Sequence, residues 1–340
     1  MFSNFNMLSK RIGIDLGTAN ILVYLGGEGV VLNEPTVVAV RADDNKVVAV
    51  GAEAKEMLGR TPGNIVATRP LKDGVIADYV ITQSMLAYFI DKVAGRSRFM
   101  KPEVMVCIPS GVTQVEKRAV LDACASAGAG SVYLIEEPLA AAIGAKIPIA
   151  QATGHMILDS GGGTTDIAVI SLGGVVVHKS IRVAGNKTEE AIANYIRKRF
   201  NLLVGERTVE EIKMQIANAI PDREPRSIEV KGRDSVTGLP RAIQVSEIEV
   251  NEAIQPILKQ MITAIKEVFE ATPPELASDI IEKGIVLTGG TVLLKNLEKY
   301  IAQQTGVPAY VAEDPLFCVI RGVGVALENL ELYKRSINKD

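Results

Sequence analysis

The chain has 340 residues, 47 % apolar and 23 % charged, which excludes a disordered or collagen-like polymer and favours two hydrophobic cores over one. Thirty-seven basic against 40 acidic side chains leave a net charge of −3, so no nucleic-acid partner is expected beyond what a local basic patch could hold. Cys107, Cys124 and Cys318 are odd in number and lack C-x-x-C spacing, so a disulfide framework is not expected and a reducing compartment is.

Residues 1–8 lack the basic start and long apolar centre of a signal peptide. Their apolar side chains stand directly ahead of a strand, and two readings stay open: a frayed lead-in, or a short interfacial anchor. Ile12-Gly13-Ile14-Asp15-Leu16 then reads as a strand, Gly17-Thr18-Ala19-Asn20 as a polar turn, and Ile21–Tyr24 as a second strand. Gly26-Gly27 marks a hairpin, because primed turns need positive φ, and a Val-rich third strand follows. Residues 34–74, with Pro35, Pro62, Pro70 and scattered charge, look like a small insertion.

Val104–Ile108 is a buried-type strand. A helix is expected over 113–127, with Val112, Val115, Ala119, Val120, Ala123, Cys124 and Ala127 as its apolar stripe and Gly128 as its stop. Val132–Ile135 is the next strand, and a helix over 139–145 follows it. At Met156-Ile157-Leu158-Asp159-Ser160-Gly161 the opening pattern starts again, 144 residues after Asp15. Once more an Asp ends a strand, Gly sits two places on, a Thr-bearing turn leads into a strand, and a Gly pair (Gly173-Gly174) leads to a third. A helix over 189–203 and strands near Ile228–Val230 and Ala242–Val245 fill a second irregular stretch, 186–246. Ile254, Ile257, Leu258, Met261, Ile262, Ile265, Val268 and Phe269 trace one helical face, which Pro256 should either start or kink. Ile285–Thr288, a helix over 292–304 stopped by Gly306, and Ala309–Val311 close the second half as the first closes. Matching order, turns and helix stops imply duplication.

The duplicated turns suit a phosphate and its metal. Gly lets backbone N–H groups approach phosphate oxygens, Thr adds a donor, and an Asp can hold the water shell of Mg²⁺. One such turn alone reads more readily as a plain turn; two at equivalent points can grip one ligand from opposite sides. Gly289-Gly290-Thr291 is either a third such loop or an ordinary strand-to-helix connection. No Walker A or G-x-G-x-x-G motif is present, and His155 and His178 as the only histidines argue against a zinc site or a Ser-His-Asp triad. Glu137, just before Pro138 at the end of a buried strand, could orient an attacking water or could simply favour a helix N-terminus.

Several motifs together resemble the MreB family of bacterial actin homologues: Asp15-Leu16-Gly17-Thr18-Ala19-Asn20, Leu32-Asn33-Glu34-Pro35, 72–78, 135–144, Gly161-Gly162-Gly163-Thr164-Thr165, 237–240 and 272–276. The likeness runs from about residue 10 to 330. It implies an α/β, duplicated ribonuclease-H-like (actin-like ATPase) fold. Two domains would flank a nucleotide cleft: residues 1–146 with 315–340, insertion 34–74, and residues 147–314, insertion 186–246. ATP/ADP and Mg²⁺ are the implied cofactors. By resemblance Asp15 and Asp159 face Mg²⁺ through water, residues 17–20 and 161–165 form two phosphate loops, and Glu210, Glu211, Ile212 and Lys213 hold the ribose and adenine side. Gly289, Gly290, Thr291 and Val292 form the adenosine loop. Glu137 is the water-orienting carboxylate, assisted by Thr164 and, across the cleft, Asp159.

The resemblance further implies a slow Mg-dependent ATPase that polymerises into paired protofilaments, cytoplasmic and peripheral on the inner face of the membrane. Contact with an anionic leaflet would run through the N-terminus and Phe99-Met100, beside Arg96, Arg98 and Lys101. Membrane-bound cell-shape or wall-synthesis proteins are its implied partners. Ser160, Asn186, Thr291 and Arg321 depart from the family's pattern and suggest a divergent paralogue. A scaffold without hydrolysis, or a role in motility, is the alternative. A sugar-kinase-type or chaperone-type ATPase fits less well, since no substrate base or separate peptide-binding domain is evident.

Overall fold

The computed structural model describes residues 9–95, 101–333 and 337–339. Residues 1–8 and Phe99-Met100, where membrane contact is expected, lie outside them. Two large sheets repeat one plan. The first runs, strand beside strand, Gly29–Pro35, Asn20–Leu25, Arg11–Leu16, Glu103–Ile108, Ser131–Glu136, with Ile337–Lys339 on its far edge. The second runs Gly174–Ile181, Thr165–Ser171, His155–Ser160, Ile285–Thr288, Ala309–Val311. In each, the first two pairings in that order are antiparallel and the next two parallel. A register shift falls at the same place in both meanders, after Val23 and after Val169. The central strands are buried on both faces, which is why they read as continuous apolar runs. Neither hairpin holds both glycines of its expected pair at positive φ: the first has Gly27 and Gly29 there, the second Leu172 and Gly173.

Two helices, Glu137–Gly144 and Cys318–Glu328, lie between the sheets. Their side chains share one core with Met105 and Ile135 of the first sheet and Ile157 and Ala168 of the second. Their backbones nearly touch: a Cβ on Gly144 would fall 1.8 Å from the Cys318 carbonyl oxygen, and one on Gly322 1.7 Å from that of Ala140. Tyr79–Ala94 and Gln114–Ser126 cover the outer face of the first sheet, and Glu247–Ala271 that of the second.

Several helix bounds differ from the sequence reading. Gln114–Ser126 is capped by a reciprocal Thr113–Glu116 box, but Val115 points to solvent at 79 % exposure and is not part of the stripe. The helix expected over 139–145 begins at Glu137, with Pro138 in its first turn. The one expected over 189–203 runs Gly185–Phe200, ended by Asn201 in the left-handed region. The one expected over 292–304 splits into a 3₁₀ turn, Thr291–Leu293, and a helix Leu297–Thr305, because Asn296 is left-handed. Pro256 does not start its helix but lies inside the 25-residue Glu247–Ala271 segment, which Ser246 and Glu249 cap.

Within 34–74, strands Val38–Arg41, Val47–Val50 and Ile65–Thr68 pack with helix Ala52–Met57 around Val37, Ala39, Ala49 and Ala54. Within 186–246, Leu202–Leu203, Ser227–Asp234 and Pro240–Ser246 form a small antiparallel sheet. No described helix is long and apolar enough to cross a membrane.

Candidate nucleotide-binding cleft

A cavity of about 620 Å³ opens between the two sheets, a size suited to a nucleotide-sized ligand. Its walls bring together Asp15, residues 17–20, Glu137, Asp159, residues 161–164, Glu210, Lys213 and Gly289 to Thr291. Four residues named with them do not reach it. On helix Glu206–Ile216 the 3.6-residue period that turns Glu210 and Lys213 to the cavity turns Glu211 outward, where it pairs with Arg207, and Ile212 into the core. Val292 is likewise core, and Thr165 is fully buried at the start of its strand.

Asp15 and Asp159 end the central strands of the two sheets, and each takes one side-chain donor from the parallel strand alongside. The Cys107 thiol donates to Asp15 Oδ1 at 3.2 Å, and the Thr288 hydroxyl to Asp159 Oδ1 at 2.7 Å. Burial outweighs these donors, so the Asp15 carboxyl is pushed up to about 6 and that of Asp159 to about 7. Sequence reasoning missed the partners Cys107 and Thr288, and also Asp166. That carboxylate interrupts an otherwise apolar strand, a signal that was available. It stands directly across from Asp159, where the first sheet has Leu22 across from Asp15. Its Oδ1 accepts from the Ser110 N–H at 3.0 Å, while its buried Oδ2 has no hydrogen-bond partner. Burial pushes it to about 7, although the hydroxyls of Ser180 and Thr164 lean toward it and ease its charge.

Glu137 is the first residue of its helix and makes no hydrogen bond through its side chain among the described residues. Burial, and then the charges of Asp166, Asp15 and Asp159, hold its carboxyl well above the usual range. Three carboxylates, Asp15, Glu137 and Asp159, thus line the cleft, with Asp166 fully buried across the strand pair from Asp159. This is an oxygen-only set suited to a hard cation, and its unbalanced negative charge favours one. Among the described residues no three or more His, Cys, Asp or Glu gather closely enough to hold a metal alone. A Mg²⁺ ion takes one or two carboxylates together with phosphate oxygens and water, and Asp15 and Asp159 supply that number at the cavity wall.

The two Gly-Thr turns meet across the cleft. A Cβ on Gly163 would fall 2.3 Å from Thr18 Oγ1, and the same hydroxyl oxygen accepts from the Gly74 N–H at 3.0 Å. Nearer the mouth, Lys55 of one insertion pairs with Glu210 of the other at 2.8 Å, and Arg69 with Glu206 at 3.8 Å. Lys213 is paired with Glu189.

The departures from the family's pattern have structural roles. Ser160 is buried and hydrogen-bonded to Thr165, whose hydroxyl donates to the Val183 carbonyl. The Asn186 N–H donates to the Gly162 carbonyl and the Thr291 hydroxyl to that of Gly161. Arg321 pairs with Asp314 at 2.7 Å and lies over the Phe317 ring.

The family model for MreB/Mbl proteins matches residues 9–335. The cell shape-determining protein MreB of Escherichia coli is 53 % identical over 333 residues, covering 96 % of each chain. The cell shape-determining protein Mbl of Bacillus subtilis is 50 % identical, covering 98 % of this chain and all of that one. Among solved structures, Spiroplasma citri MreB5 bound to ADP superposes with a TM-score of 0.91 at 38 % identity, over 96 % of this chain and 99 % of that one. The same protein bound to AMPPNP gives a TM-score of 0.89 at 38 % identity, covering 96 % and 98 %.

Proposed function

The chain belongs to the MreB/Mbl family, and as an actin-like cytoskeletal protein involved in cell shape we propose that it binds ATP with Mg²⁺, polymerises and hydrolyses the nucleotide slowly. Nucleotide binding is supported by the cavity and by the ADP and AMPPNP found with MreB5. In this reading the backbone N–H groups of the turns at 17–20 and 162–164 take the phosphates, and Gly289 and Gly290 with Lys213 and Glu210 border the nucleoside. Asp15 and Asp159 hold Mg²⁺ through water, and the bound cation neutralises charge developing on the phosphates. Glu137 orients the attacking water, with Thr164 beside it. The observation that carries this assignment is a buried carboxylate facing the cavity with no hydrogen-bond partner of its own.

Residues 1–146 with 315–340 and residues 147–314 form the two lobes of this machine in our reading, with the Lys55–Glu210 pair spanning its mouth. The protein assembles with copies of itself. It lies at the inner membrane face through the N-terminus and Phe99-Met100, alongside cell-shape or wall-synthesis proteins. The test is phosphate release by wild type and Glu137→Ala, beside pelleting with nucleotide and with or without anionic liposomes. Wild type should release phosphate and pellet with nucleotide and lipid, and the variant should lose only the phosphate release. Pelleting by both with release by neither would leave a nucleotide-stabilised scaffold. No pelleting under any condition would remove the filament reading.

A further inference from the structure

The two phosphate loops start at equivalent glycines, Gly17 and Gly161, each two residues past the strand-ending Asp. In each loop the carbonyl of that glycine is taken by a threonine hydroxyl from elsewhere in the chain. Thr36 Oγ1 donates to the Gly17 oxygen at 2.7 Å, and Thr291 Oγ1 to the Gly161 oxygen at 2.6 Å. Backbone donors reinforce both clamps. Thr36 N–H reaches Ala19 O at 2.9 Å, Gly185 N–H reaches Gly161 O at 3.2 Å, and Asn186 N–H reaches Gly162 O at 2.8 Å. The two threonines are not duplicates of each other: Thr36 follows the third strand of its sheet, Thr291 the fourth strand of the other.

A trans peptide is planar, with its C=O and the next N–H pointing in opposite directions. Drawing the Gly17, Gly161 and Gly162 carbonyls outward therefore turns the N–H groups of Thr18, Gly162 and Gly163 the other way. None of these three N–H groups has a protein partner among the described residues, and all three residues line the cavity. We propose that Thr36 and Thr291 are matched positioning residues that fix the two phosphate loops with their N–H groups facing an anionic ligand. Thr291 thereby acts on the phosphates through Gly161 and not by touching the nucleoside.

The inference rests on the nucleotide reading of the cleft, and one experiment separates the two. Affinities for ADP with Mg²⁺ and for adenosine are measured by displacement of a fluorescent ADP analogue from wild type, Thr291→Val, Thr291→Ser and Thr36→Val. Valine keeps the shape of threonine and removes only the hydroxyl. One lost hydrogen bond predicts that Thr291→Val binds ADP roughly three- to tenfold more weakly, with adenosine changed less than about twofold. Thr291→Ser should recover most of the loss, which a purely steric role of the side chain would not allow. Amide hydrogen exchange at Gly161 and Gly185, whose N–H groups hold the same loop, should quicken in Thr291→Val without nucleotide. Thr36→Val, altering the other loop, should give the same split between ADP and adenosine. An unchanged ADP affinity in Thr291→Val, or equal losses for ADP and adenosine, would overturn the proposal. Failure of wild type to bind ADP would instead overturn the nucleotide reading beneath it.

Discussion

Replacing Asp166 by Asn should stabilise the nucleotide-free protein, and by an amount that depends on pH. The carboxyl titrates near 7 in the fold, against 3.8 for a free side chain. A raised carboxyl favours folding only while it stays protonated, so its contribution is full below the unfolded value and is lost as pH rises through the folded one. At about pH 8, where it is ionised, its burial costs about 4 kcal/mol; at about pH 5, where it stays protonated while the unfolded chain's carboxyl ionises, the cost is about 2 kcal/mol. Asn retains an oxygen for the Ser110 N–H but puts an amide where Oδ2 now has no partner. An unpaired buried amide costs about 1–3 kcal/mol. The balance is a gain of about 2 kcal/mol at pH 8 that shrinks to about zero at pH 5. Relief of the neighbouring Glu137, whose carboxyl Asp166 also raises, adds to the gain at the higher pH. Urea unfolding of wild type and Asp166→Asn at both pH values, without nucleotide, measures it. A difference that does not vary with pH, or a variant less stable at pH 8, would refute the reasoning.

Binding of Mg²⁺ and ADP at about pH 6.5 should release protons, since Asp15 near 6 and Asp159 near 7 are partly protonated there and a cation favours their charged forms. Titration calorimetry in two buffers of different ionisation enthalpy gives the count, which should fall toward zero by about pH 8.5. Gly322→Ala should cost roughly 3 kcal/mol or more, because its Cβ has no space beside the Ala140 backbone; an unchanged urea midpoint would contradict the close helix crossing.

The sheets were legible because their signals are local and doubled. Asp15 with Gly17 and Asp159 with Gly161, each followed by a Thr-bearing turn and a Gly pair, recur in the same order, and finding them twice revealed the plan. Bounds failed where one residue's backbone state decides them. Gly185 opens a helix although glycine is a poor helix former, and Asn296 delays another by turning left-handed. The ligand loops were read as runs, so Glu211, Ile212, Val292 and Thr165 were grouped with neighbours that face the cavity, when helical and strand periodicity turns them away. Contacts joining distant segments were not readable at all. Nothing near Cys107 announces Asp15, and nothing near Lys55 announces Glu210.

Duplication also sorts the cleft residues by task. Asp15 matches Asp159, Gly17 matches Gly161, the Cys107 donor matches the Thr288 donor, and the Thr36 clamp matches that of Thr291. In the proposed reading each pair grips from one side what its counterpart grips from the other, as holding a polyphosphate between two lobes requires. Glu137 and Asp166 have no such counterparts. Across from Asp15, where symmetry would put a second Asp166, stands Leu22. After Ala309–Val311, where it would put a second Glu137, the chain turns through Pro315 into a short 3₁₀ segment. Hydrolysis needs an attacking water on one side of the terminal phosphate only, so a carboxylate that orients it should break the symmetry that binding keeps. The unpaired residues are the strongly raised Glu137 and Asp166, the carboxylate whose charge does most to raise it. On the proposed function, the stability each costs the empty fold is the expected mark of groups retained for chemistry.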